Sequence, residues 1–362
     1  MTRLYLATNN GDISGGEVML FAIARAAREE GWEVSVIAPR TPDEVCRRAD
    51  AEGYDVVRLA ADSRPAYMLQ LARWAARHRD AWIWCNGLVP SFALIGHRRR
   101  ITHLHQVPTG ANRIFAAALR IGGSVSLIPS YYGAAAVRGT RGFPNWTPVI
   151  SITGRPAPPS EPVRVGFLGR ISPMKGVATL AQAVRELAGN PSAGGSLELW
   201  LAGDHGHIPE DEVAVVERAI GRVPAELVVR CGRVVPERFL EQVDLLVVAS
   251  ECSEVFGLTA AEAMSAGVPL VVSDDGALPE LLGPEHPWIA RAGNAEDLAA
   301  VLRSALRTLR EDPARVRRIT DAAHSRWRRL YSPEAGRARV AEVLDRIRRG
   351  QDPVPPAQEG RP

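Results

Sequence analysis

In each half of this chain, apolar runs of strand length alternate with stretches whose apolar residues recur at helical spacing. That alternation confines the fold class to α/β, with parallel sheets covered by helices. Arg3 to Ala7 reads as the first strand, and Gly15 to Glu30 follows as a helix with Val18, Phe21, Ala22 and Ala26 on one face, stopped by Gly31. Further strands are predicted at Val34 to Ala38, Ala81 to Cys85, Ile101 to His105 and Val125 to Ile128, with a helix over Tyr67 to Arg77.

A segment rich in proline then interrupts the series: Pro156, Pro158, Pro159 and Pro162 can continue neither kind of element, so residues 156–162 read as a linker. The pattern restarts beyond it, with strands predicted at Val163 to Leu168, Leu197 to Leu201, Val228 to Cys231, Asp244 to Val248 and Pro269 to Ser273. At 362 residues the chain exceeds one ordinary core. Two doubly wound, Rossmann-like domains are expected, 1–155 and 163–330, facing across a cleft. From Pro313 to Arg349 the pattern is helical and rich in arginine; Ser332 and Pro333 look like a cap and first helical residue, and 331–350 carries an apolar stripe of Val340, Val343, Leu344 and Ile347. The proline-containing tail 351–362 is expected to be disordered.

In doubly wound sheets, ligands sit beyond the carboxyl ends of the strands, so strand-end loops are where chemistry is sought. The most informative loop follows Asp244 to Val248 and runs Ser250-Glu251-Cys252-Ser253-Glu254-Val255-Phe256-Gly257-Leu258-Thr259-Ala260-Ala261-Glu262. Gly257 stands where this loop enters a helix. The amides of Gly257, Leu258 and Thr259 can face an anion there, aided by the helix dipole. Glu262, about a turn further on, can offer its carboxylate to vicinal hydroxyls, as an acidic residue does to ribose in dinucleotide folds. A phosphate flanked by sugar hydroxyls describes a nucleotide sugar.

A second loop, Gly169-Arg170-Ile171-Ser172-Pro173-Met174-Lys175-Gly176, directly follows the strand Val163 to Leu168. Arg170 and Lys175 can converge on one diphosphate. Lys175 is also the only lysine among 44 lysines and arginines, and a compact ammonium suits a phosphate oxygen.

These two loops, with Gly203-Asp204-His205-Gly206 and Gly276-Ala277-Leu278-Pro279-Glu280, resemble the retaining nucleotide-sugar glycosyltransferases of family 4, which have the GT-B fold. The resemblance is strong over 163–283 and looser before it. Glu254 and Glu262 match the family's paired glutamates; Ser14-Gly15-Gly16-Glu17 matches its glycine-rich loop near the donor phosphates, and His105 the histidine beside the transferred sugar. The resemblance implies that Arg170 and Lys175 neutralise the leaving diphosphate, that Glu262 binds ribose and that Glu254 holds sugar hydroxyls. It places the base against the Arg233 to Val234 backbone and Phe256 in the donor loop. It implies a UDP- or GDP-sugar donor and no metal or other cofactor, consistent with the absence of a DxD-like motif at a strand end, and a C-terminal helix that crosses back to the first domain. Here Ala249 precedes Ser250 where the family often has proline, and Gly276-Ala277 replaces a glycine pair. The stretch Asn145 to Gly154 also departs from the family's asparagine-glycine pattern.

Other signals are bland. The formal net charge of +3 is too small to argue for nucleic acid. Cys46, Cys85, Cys231 and Cys252 lack metal or redox spacing and read as reduced thiols. No apolar run approaches the roughly 18 residues a membrane helix needs, and Met1 to Ala7 lacks the features of a signal peptide. A cytoplasmic location is expected. Arg98-Arg99-Arg100 reads as a solvated patch, or as a peripheral contact with an anionic acceptor or the inner face of a membrane. His103 and His105 share a strand face but lack a third ligand, and His205 with His207 reads as an inert pair. Trp82 and Trp84 read as core. No G-x-G-x-x-G follows the first strand, which argues against a dehydrogenase. The remaining rivals are a sugar-nucleotide epimerase or hydrolase on the same fold, and a catalytically silent scaffold.

Overall fold

A computed structural model describes residues 3–110, 112, 121–123, 125–152, 159, 161–189, 196–206 and 208–354. The chain divides into two compact units, Met1–Asn145 with Glu334–Pro362, and Trp146–Pro333.

The first unit is a parallel sheet of β1 (Arg3–Ala7), β2 (Glu33–Pro39), β3 (Asp55–Leu59), β4 (Trp82–Asn86), β5 (Arg100–His103), β6 (Val125–Ile128) and β7 (Arg141–Gly142). Their order in space is β3-β2-β1-β4-β5-β6-β7. The second unit repeats the scheme with β8 (Val163–Leu168), β9 (Leu197–Ala202), β10 (Val228–Gly232), β11 (Leu245–Val248), β12 (Leu270–Ser273) and β13 (Ile289–Ala290), in the order β10-β9-β8-β11-β12-β13. Every strand pair is parallel, as when Leu4 and Leu6 face Trp82 and Trp84, or Leu245 faces Val165. Chain order reverses between β1 and β4 and again between β8 and β11, so each unit has a crevice at a topological switch point.

Burial on both sheet faces explains the continuous apolar strands. Leu245, Val247 and Val271 join one core cluster of the second unit; Leu246, Leu270 and Val272 join another on the opposite face. In the first unit, the helix Gly15–Glu29 buries Met19, Leu20, Ile23 and Ala27, while Val18 is exposed. Of the expected face, Phe21 and Ala26 are also buried and Ala22 partly so, so the buried stripe is wider than the spacing suggests and leaves out only Val18. The strand expected to end at His105 ends at His103, and His105 lies in the turn beyond.

Two expectations need correction. The first unit ends at Asn145, ten residues before the expected boundary at 155, because the next residues pack on the second unit. Trp327 Nε1 donates to Thr147 Oγ1 (2.8 Å), and the Ile150 amide donates to Ser265 Oγ (2.9 Å). Arg100 is fully buried rather than part of a solvated patch. Its guanidinium donates to the carbonyls of Ser91, Leu94 and Ile121, closing the end of the helix Leu88–Ala93. As the Ser332-Pro333 cap signal implies, the helical region after Pro313 is two helices, Pro313–Leu330 and Pro333–Arg348; the second, from Glu334 onward, belongs to the first unit. Most of the expected linker (156–158 and 160) and the tail from 355 lie outside the described residues, whereas Arg141 still bonds the Val354 carbonyl. Among the described residues, no helix is long and apolar enough to cross a membrane.

Candidate nucleotide-sugar site

In the second unit the loops after β8, β9, β10 and β11 converge at the carboxyl edge of the sheet. Main-chain hydrogen bonds tie them: Gly169 donates to Ala202 (2.9 Å), Gly203 to Gly232 (2.7 Å), Ile171 to Asp204 (2.8 Å) and Glu251 to Met174 (2.8 Å). Asp204 adds side-chain ties, accepting from the Gly206 amide (3.0 Å) and pairing with Arg233 Nε (2.9 Å).

Lys175 Nζ donates to Glu254 Oε2 at 2.5 Å, and Ser250 Oγ donates to the same oxygen at 3.3 Å. Burial pulls the Lys175 ammonium down, but the charge and hydrogen bond of Glu254 more than offset it, so the lysine titrates above its ordinary value. It is held as a cation. Arg170 is exposed, passes beside Gly206 and close enough to Lys175 to oppose its charge, and has no hydrogen-bond partner among the described residues. Two cations therefore stand together at one strand end, and one of them is uncommitted.

The loop carrying Glu254 is fixed by its backbone. The amides of Cys252 and Glu254 both donate to Asp275 Oδ2 at 3.0 Å, and the Glu254 carbonyl accepts from the Ala277 amide at 2.7 Å. Gly276 has φ +61, and a Cβ there would lie 2.1 Å from the Glu254 carbonyl oxygen, so only glycine fits. Ser253 is the one non-glycine residue with positive φ among those described, at 52°, which marks this loop as strained.

Gly257 (φ 91) turns the loop into the helix Leu258–Ser265. The amides of Leu258 and Thr259 have no carbonyl one turn earlier to accept them, so they are free for an anion. Phe256 differs from expectation. Its side chain is buried in the core edge-on to Tyr331, which leaves only its main chain for a ligand. Val234 also packs on that core, while Arg233 is exposed. Glu262 is half-buried, has no hydrogen-bond partner among the described residues, and burial pushes its carboxyl up to about 7. An unpaired carboxylate of this kind is a ready acceptor for hydroxyl donors.

The first unit gathers a second set of residues at its own switch point. Gly15 and Gly16 open the helix Gly15–Glu29, and a Cβ at Gly16 would come within 3.3 Å of the His105 ring. His105 Nε2 meets Asn86 Oδ1 at 2.6 Å, and burial lowers its pKa to about 4, so the ring is neutral near pH 7. His103 is fully buried 4.5 Å behind it, and burial likewise holds it uncharged. Among the described residues, no three His, Cys, Asp or Glu side chains converge as a metal ion requires. His205 bridges Ile171 and Glu217, and His207 lies outside the described residues.

Sequence reasoning quoted Asp204 and Glu17 only within motifs, without a role of their own, and missed Asp275 and Asn86. Asp204 combines a local bond to the Gly206 amide with a pairing to distant Arg233, and the Asp275 carboxylate acts on amides of a loop more than twenty residues away, which leaves no local signal. Glu17 has one, because Ser14 and Glu17 have capping-box spacing.

Residues 162–308 match the family model for glycosyl transferases group 1. The chain is similar to the amylovoran biosynthesis glycosyltransferase AmsK of Erwinia amylovora, 29% identical over 199 residues, 52% of this chain and 46% of that protein. It is also similar to a D-inositol 3-phosphate glycosyltransferase of Nocardia farcinica, 34% identical over 123 residues, 33% of this chain and 27% of the relative. Each match thus spans less than half of the relative's length. Among solved structures, HepE of Anabaena in complex with UDP and glucose superposes with a TM-score of 0.77 at 19% identity, covering 95% of this chain and 100% of that one. Sucrose-phosphate synthase of Thermosynechococcus elongatus reaches 0.79 at 17% identity, covering 97% and 100%. The converging loops of the second unit thus lie in a segment that matches the group 1 glycosyl transferases, within a chain of GT-B fold.

Proposed function

We propose that this protein is a retaining, metal-independent glycosyltransferase of the family 4 type, which moves a hexosyl group from a UDP- or GDP-sugar to an acceptor hydroxyl. The observation that carries the reading is the grouping of Lys175, unpaired Arg170 and the free amides of the helix Leu258–Ser265 at one sheet edge. Those groups suit a diphosphate, and Glu262 beside them suits a ribose. Glu254 then serves the sugar hydroxyls, the Arg233 and Val234 backbone the base, and Gly15 and Gly16 the donor phosphates. The UDP-glucose bound in one structure of HepE of Anabaena, and the UDP and glucose in another, support a donor of this class.

In the reaction the bond from the anomeric carbon to the phosphate oxygen breaks and its electron pair leaves with the diphosphate. Negative charge grows where Arg170, Lys175 and the helix amides already point, which lowers the barrier without a divalent ion. The acceptor oxygen bonds to the anomeric carbon on the face the diphosphate leaves, and its proton passes to a leaving-group oxygen. His105 orients a sugar hydroxyl and is not the nucleophile.

The test is thermal stabilisation by a panel of UDP- and GDP-sugars in the presence of EDTA, followed by mass and anomeric analysis of the products. Stabilisation by at least one donor, with acceptor-dependent release of UDP or GDP and a retained anomeric centre, is expected. Donor hydrolysis or epimerisation without an acceptor would establish the rival enzyme, and no binding would leave a scaffold.

A further inference from the structure

Glu17 is almost completely buried, 1% exposed, and forms no ion pair among the described residues. Its Oε1 accepts from Thr8 Oγ1 (2.9 Å), Asn10 Nδ2 (3.1 Å) and Asn86 Nδ2 (3.4 Å); its Oε2 accepts from Ser14 Oγ (2.5 Å) and the Ser14 amide (3.3 Å). Each carboxyl oxygen thus faces a group that can only donate, an amide nitrogen, and accepts from it. This buried carboxyl joins the strand end of β1, the glycine loop and the strand end of β4.

The consequence passes through Asn86, itself 5% exposed. Its Nδ2 must face Glu17, because turning the amide over would set Oδ1 against a carboxylate oxygen. Its Oδ1 is therefore committed to His105 Nε2 at 2.6 Å, and that nitrogen must carry the hydrogen. Nδ1 then holds the lone pair and lacks a hydrogen-bond partner among the described residues.

We propose that Glu17 and Asn86 are positioning residues that fix His105 in its Nε2–H tautomer, so that Nδ1 is offered as a hydrogen-bond acceptor to a hydroxyl of the transferred sugar. The same carboxylate that shapes the Ser14-Gly15-Gly16 turn thereby sets the polarity of the histidine beside it. The sugar as recipient rests on the glycosyltransferase reading; the tautomer does not.

Long-range proton–nitrogen correlation spectra of the full chain labelled with nitrogen-15 histidine read the tautomer directly, with His105→Gln identifying the signal. The wild type at pH 7 is expected to show protonated Nε2 and bare Nδ1. Asn86→Ala is expected to yield a mixture of tautomers, and to lower kcat about tenfold or more with donor KM nearly unchanged, the scale of one lost hydrogen bond in the transition state. A wild-type spectrum with protonated Nδ1 overturns the proposal even if the variants fail to fold, as does a folded Asn86→Ala protein with an unchanged tautomer. Should the spectra agree while no donor is ever turned over, the fault lies in the assigned activity and the relay stands.

Discussion

Lys175 and Glu254, 79 residues apart in sequence, form an ion pair of 2.5 Å that joins the loop after β8 to the loop after β11. The pair spans the point where strand order reverses in the second sheet. With Lys175 35% exposed on its side chain, the pair contributes little to stability, so its worth is as a charge held ready for a ligand.

Lys175→Ala and Arg170→Ala are each expected to slow sugar transfer by at least about tenfold, the scale of one charge-assisted contact to the departing diphosphate. Both should keep the wild-type melting temperature closely. Steady-state kinetics with the best donor provides the check, and near wild-type turnover in both would remove these residues from the assigned role.

Glu262 should impose a pH dependence on donor binding. Its carboxyl titrates at about 7, and the ionised form is the better acceptor for ribose hydroxyls, so affinity should rise as pH passes upward through that value. For stability the sign is opposite. The folded pKa is raised from the ordinary 4.5, so stability is lost as pH climbs from 4.5 towards 7 and levels off above it. Glu262→Gln should flatten both trends in calorimetry and denaturation; a variant that retains them would show that another group titrates.

Gly276→Ala should disturb Glu254 without touching its side chain, because the new methyl would fall 2.1 Å from the Glu254 carbonyl oxygen in a backbone with φ +61. A loss of about 1–3 kcal/mol in stability is expected, accompanied by weaker donor binding. Equal stability and affinity in variant and wild type would contradict the tight seat assigned to this loop.

Trp327→Phe tests the revised domain boundary. The indole donates to Thr147 Oγ1 from a nearly fully buried position, so the variant should lose about 1 kcal/mol, and Thr147→Val should lose nothing more in its presence. Additive losses in denaturant unfolding would argue against the bond.

The sequence revealed most clearly what local pattern dictates. The apolar run of β11, the glycine at 257 and the helix behind it are contiguous, so the strand-end loop was legible residue by residue. By contrast β3 was hidden, because Asp55 and Arg58 break the apolar signal of Val56 and Val57, and β7 and β13 have two residues each. Three adjacent arginines suggest water, yet Arg100 finds enough carbonyls to be buried, a matter of tertiary contacts alone. The proline cluster marked where the chain cannot form elements. It did not mark where the core of the second unit begins, which Trp327 and Ser265 decide from far along the chain. Asn86 meets Glu17 across 69 residues, and no spacing rule announces such a pair.

The central claim is that the second unit holds a nucleoside diphosphate with two cations and the opening amides of a helix. The most direct measurement is a crystal structure of the protein soaked with UDP or GDP. The account predicts phosphate oxygens within hydrogen-bond distance of Arg170, Lys175 and the amides of residues 257–259, with the ribose against Glu262. Nucleotide density elsewhere on the molecule, or an unoccupied edge at saturating nucleotide, would contradict it.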